Sequence, residues 1–302
     1  MKDFTPVKKL ALYSAATVMC VAGSSAFAHT GIRDKVTEGV SGYNALTVTH
    51  GCNGNVSLGA KQNVIALSAV FPNAADPALA KVYKLTPAGI QIEPALDDLS
   101  GHIVDIGPGE GFTTLGLGLV TGGGTLFANI IPTVDSTGVI RGYRTWSGPT
   151  PYLSAPLQES IVSATGLSPF RYGAIKFETT SCAKSLKVRV AIANWCKKGS
   201  GTQHADDRVD VWMGHTTAVF HDQKTMPRAT PYNAATEVPF WPTMTVNRNL
   251  ATNPLPAADA NGVACAGGFD LAIEPADADI DANLPIPTAK YPLGAGANRY
   301  YN

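Results

Sequence analysis

The sequence predicts an all-β fold, an antiparallel β-sandwich, on three observations. Short runs of β-forming residues recur along the chain, and several alternate between apolar and polar positions. Glycine (30) and proline (21) are frequent enough to punctuate such runs repeatedly. Charged residues are scarce, and long stretches with helical periodicity are hard to find. Many short strands joined by Gly, Pro and Asn turns fit two packed antiparallel sheets.

Residues 1–28 read as an export signal. Lys2, Lys8 and Lys9 give a positive start, Leu10 to Gly23 is mostly apolar, and Ala26-Phe27-Ala28 is the small-x-small pattern before a cleavage site. The apolar run is too short for a membrane span, and no later segment is long and apolar enough. Met19 before Cys20 fits a lipoprotein site poorly. Cleavage after Ala28 leaves 274 of the 302 residues, beginning at His29, in the periplasm or at the cell surface. The cut removes three lysines and one aspartate, leaving 20 basic and 22 acidic residues, a charge of −2. A nearly neutral chain has no electrostatic footprint for nucleic acid or an anionic membrane.

Six runs read as strands: Tyr43 to Thr49, Val64 to Phe71, Gly138 to Trp146, Tyr172 to Glu178, Leu186 to Trp195 and Arg208 to Met213. In the fifth, Lys187 and Arg189 face one way while Val188, Val190 and Ile192 face the other, as a half-buried strand requires. The glycine-rich stretch Gly107 to Gly124 lacks the spacing of a nucleotide-binding loop and reads as a loop or irregular edge. The sandwich domain is expected over residues 29–246. Residues 247–302, rich in Ala, Pro, Asn and Asp, read as an extended irregular tail packed on the domain and pinned by Cys265.

The exported chain has four cysteines, Cys52, Cys182, Cys196 and Cys265, and no Cys-x-x-Cys. That pattern argues against a zinc ribbon and for two structural disulfides, with three connectivities open. Hydrolase motifs are absent: there is no Gly-x-Ser-x-Gly and no His-Glu-x-x-His. His29 is singled out by its place at the cut. An N-terminal histidine offers a metal its α-amino nitrogen and its own Nδ1, closing a chelate ring within one residue. One further imidazole or carboxylate completes a nitrogen-rich site that suits copper. An α-amino pKa near 8 lets a metal free that amine at neutral pH with modest assistance.

Five features in order resemble one family. These are His29 at the chain start, Gly42-Tyr43, His50-Gly51-Cys52-Asn53-Gly54, Thr145-Trp146-Ser147-Gly148-Pro149, and the strand Gly173 to Cys182 ending in Thr180-Ser181-Cys182. Over roughly residues 29–190 the chain resembles the YcnI-like exported copper-binding proteins. The resemblance implies an immunoglobulin-like sandwich, copper as the ligand, and His29 as the chelating residue. It implies a Cys52–Cys182 disulfide, which leaves Cys196 with Cys265. A carboxylate and a tryptophan complete the family's site; Glu38 and Trp146 are the candidates here, and His50 is a candidate to replace the carboxylate.

A second cluster lies outside the resemblance: Asn194-Trp195-Cys196 and His204 to Asp222, in which Trp212, Met213 and His215 are soft and imidazole donors close in sequence. The expected function is copper acquisition, storage or delivery, with copper as cofactor and a copper-transport or chaperone protein as partner. Two other copper readings compete. One is a monooxygenase with a histidine brace of His29 and a second histidine such as His102; the other is a methanotroph-type surface protein with a His/Trp site. A metal-free structural or adhesive sandwich is the third alternative.

Overall fold

The computed structural model describes residues 31–48, 66–74, 78–104, 118–119, 129–134, 140–146, 166–195, 209–214, 217–220 and 241–285. They are mostly strand, and the all-β expectation holds. One sheet has four strands in the order β1 (Gly31–Ile32), β3 (Gly42–Val48), β10 (Gly166–Tyr172) and β7 (Gly118–Leu119). A second has six: β2 (Val36–Thr37), β14 (Thr243–Asn247), β11 (Ala183–Arg189), β15 (Phe269–Pro275), β5 (Ala80–Leu85) and β6 (Gln91–Leu96). The third has five: β13 (Val209–Trp212), β12 (Ala191–Trp195), β4 (Ala66–Val70), β9 (Ile140–Trp146) and β8 (Asn129–Val134). Pairing is antiparallel except for two parallel ladders, β11 with β15 and β14 with β2.

All three sheets feed one core. Leu46 and Phe170 come from the four-stranded sheet, Leu186, Val188 and Leu271 from the six-stranded sheet, and Leu67, Ile192 and Trp212 from the five-stranded one. The five-stranded sheet is also covered behind. There Ala66, Val70, Ala193, Trp195 and Met213 pack with Phe220, Trp241, and Ile280 and Leu284 of helix α1 (Asp277–Asn283) and its end. Every residue of β4 and of β12 is therefore buried. Strands covered on both faces need apolar or small residues at every position, which explains the nearly unbroken runs in the sequence.

Three expectations change. The run Leu186 to Trp195 is two strands, not one. β11 ends at Arg189, the Val190 N–H donates to Pro242 O, and β12 continues in the other sheet. Val188, Val190 and Ile192 still share the common core, so the alternation survives the change of sheet. The strand expected at Tyr172 to Glu178 instead spans 166–172. Beyond it the Phe177 N–H is taken by the Glu38 carboxylate, and an isolated bridge from Phe177 to Ile103 is the only ladder element among the described residues there. The boundary at 246/247 falls inside a sheet: β14 runs to Asn247, and β15 lies between β11 and β5. Residues 248–268 are the irregular part of this region, and they are indeed pinned through Cys265.

Candidate functional site

His29, His50, His215, Cys52 and Cys196 lie outside the described residues. The elements on which two of them border are described. β1 runs antiparallel to β3 with Gly31 opposite Thr47 and Ile32 opposite Leu46. The start of β1 and the end of β3 are thus at one end of the four-stranded sheet. His29 precedes β1 by two residues, and His50 follows β3 by two. Among the described residues, no group of three or more His, Cys, Asp and Glu side chains is arranged to hold a metal ion.

Glu38 follows β2 and is buried. Its Oε2 accepts the Phe177 N–H at 2.9 Å and the Asn253 Nδ2–H at 3.1 Å, while Oε1 accepts the Asn249 N–H at 2.7 Å. A carboxylate holding three donors is a fastener for the 249–253 turn, and its donor set does not fit a copper ligand. Arg248 completes the fastening. Its guanidinium donates to Ser181 O, Ala183 O, Asn253 O, Asn253 Oδ1 and Pro254 O, and lies 6.0 Å over the Phe177 ring.

The third fastener is a disulfide, and it corrects the expected pairing. Cys182 is bonded to Cys265, with Cα atoms 5.1 Å apart, so neither Cys52–Cys182 nor Cys196–Cys265 is present. The parallel β11–β15 ladder is the cause. It sets Ala183 opposite Phe269 and lets the Phe269 N–H donate to Cys182 O, which brings the residues before both strands together. Gly268 makes the approach feasible: with φ +77°, an added Cβ would meet Cys182 O at 2.7 Å.

The tryptophans divide between environments. Trp146 sits in β9 in register with Ala66 of β4 and Asn129 of β8. Trp212 pairs with Ile192 and packs in the shared core. Met213, next along the chain, lies in the other cluster with Trp195 and Trp241. Strand alternation therefore sends Trp212 and Met213 to opposite faces of one sheet, and the two do not converge on a common site. The second sequence cluster is nonetheless brought together as backbone: Asn194 pairs with Asp210 and Trp195 with Val209.

Two polar groupings escaped the sequence reading. Arg189 and Glu274 form a buried ion pair at 2.8 Å, joined by Gln91 Nε2 on the same Glu274 oxygen at 3.1 Å. The half-buried His102 has its Nδ1 3.0 Å from Ser181 Oγ, and its ring meets Phe269 edge-on at 5.6 Å. Burial first, and the Lys84 ammonium second, hold the His102 pKa below the usual histidine value, against the pull of Asp259 and Asp98. Ser181 thus engages Nδ1, one of the two ring nitrogens. A lone histidine and a distant serine offer no linear signal, because the Ser181 partner is 79 residues away. Comparison with protein-family models, with characterised proteins and with solved structures finds no match to the chain.

Proposed function

We propose that this is an exported copper-binding protein for acquisition, storage or delivery, taking the metal through a mature N-terminal His29. The supporting observation is the β1–β3 ladder, in which Gly31 lies opposite Thr47, so that the start of β1 and the end of β3 are at the same end of one sheet. His29 and His50 are the residues of those two segments with metal-binding chemistry. In this reading His29 supplies its amine and Nδ1, and His50 supplies a third nitrogen, a set suited to copper. Glu38 has no part in it, because its oxygens serve the 249–253 turn. A copper-transport or chaperone protein is the partner such a role calls for.

Both ligand types compete with protons, so affinity falls as the pH drops below the α-amino and imidazole pKa values. The test is a Cu(II) titration of the protein made with its own signal, beside His29→Ala and His50→Ala variants. His29→Ala removes the imidazole of the chelate and is expected to weaken binding by at least about tenfold, or 1.4 kcal/mol. Equal affinity of the native form and His29→Ala removes His29 from the account, and no binding by the native form sinks the copper reading. A His50→Ala variant that binds as tightly as the native form takes His50 out of the ligand set.

A further inference from the structure

We infer that His102 is an acid-sensitive fastener of the seam between the 97–104 turn and the 175–182 segment. Three hydrogen bonds make that seam. Glu178 N–H donates to His102 O and Val104 N–H donates to Lys176 O, the pair that bridges Ile103 to Phe177, and His102 Nδ1 meets Ser181 Oγ. The side-chain member is the one that depends on a proton. Ser181 is buried, and its Oγ already accepts the Ala183 N–H at 3.0 Å. In the proposed seam its one hydroxyl proton is donated to Nδ1, and the neutral imidazole carries its hydrogen on Nε2.

Protonation reverses that bond. Nδ1 becomes a donor, and the hydroxyl of the buried Ser181 must turn to another acceptor. The imidazolium would also stand half-buried near Lys84 of β5 and against the Phe269 edge of β15. Two carboxylates favour the charged form, Asp98 on the same turn and Asp259 on the facing loop. Burial and Lys84 outweigh them. A histidine whose folded pKa is lowered contributes stability that is fully present above its ordinary pKa of 6.5. That contribution is lost as the pH falls from there toward the folded value.

The seam has its own reporters in the amides of Val104 and Glu178. Their hydrogen exchange, corrected for the intrinsic chemistry, is measured on the full protein from pH 7.5 to 5. Opening takes up one proton, so the open fraction rises by up to about tenfold per pH unit below 6.5, until the lowered pKa is reached. His102→Gln keeps an acceptor for Ser181 and cannot titrate, and its corrected exchange is expected to be flat with pH. The same slope in wild type and His102→Gln overturns the inference. So does wild-type exchange that does not follow the His102 titration seen by NMR, a measurement that needs no variant. A neutral-state 15N signature with the hydrogen on Nδ1 also overturns it.

Discussion

Glu38 and Arg189 are charged groups removed from water, and each is tolerated because the fold supplies partners. Glu38→Ala leaves the Phe177, Asn249 and Asn253 donors unmatched beneath a turn. It is expected to cost about 2–4 kcal/mol in urea unfolding while leaving Cu(II) affinity unchanged. Arg189→Met alone strands the Glu274 carboxylate and is expected to cost about 3–5 kcal/mol; adding Glu274→Leu recovers most of the loss. A double-mutant cycle by denaturant titration checks that sign. Neither partnership was legible in the sequence. Glu38 looked like a metal neighbour because its nearest residues gave no hint of Asn249, 211 positions on. Arg189 looked solvent-facing because alternation reports which side a residue takes and not what lies on that side.

Among the elements, the five-stranded sheet shows where alternation reads well and where it fails. β12 and β4 are apolar at almost every position because α1, Phe220 and Trp241 close their second face. From sequence such a run could be placed but not oriented. The helix cover is tied on by a relay: Trp195 Nε1–H donates to Ser68 Oγ at 2.9 Å, and the Ser68 hydroxyl donates to Leu284 O at 2.6 Å. Ser68→Ala breaks both bonds and leaves a buried indole N–H and a carbonyl without this partner. The expected loss is about 1–3 kcal/mol, with the amides of 277–284 losing exchange protection before those of the six-stranded sheet. Uniform loss of protection across the sheets would mean that α1 does not open separately. The Trp212–Met213 cluster failed as a site for the opposite reason, since proximity in a strand is separation across it.

At the scale of the whole molecule, the sandwich-like all-β architecture was legible from punctuation and patterning, and the role of residues 247–285 was not. Their Ala, Pro and Asp content resembles a surface tail, yet β15 has five buried residues in a row and sits inside the six-stranded sheet. The disulfide follows from that placement. Peptide mapping without reduction is expected to recover Cys182 with Cys265, and to find Cys52 with Cys196 if the two-disulfide reading holds. Free thiols at Cys52 and Cys196 would reject that reading. Cys265→Ser opens a loop of 83 residues and is expected to cost up to about 4.5 kcal/mol in the chain-entropy account. The position of β15 also fixes an order of events. β5, at 80–85, and β11, at 183–189, each pair on one side with a strand that arrives only at 269–275. Until then both present an open edge, and the middle of the sheet is the last part to close. A chain built in this way is expected to refold slowly, in one late step that needs nearly its full length, and to aggregate when truncated before Phe269. Stopped-flow refolding of the whole chain beside a version ending at residue 268 would show whether that final strand acts as the keystone.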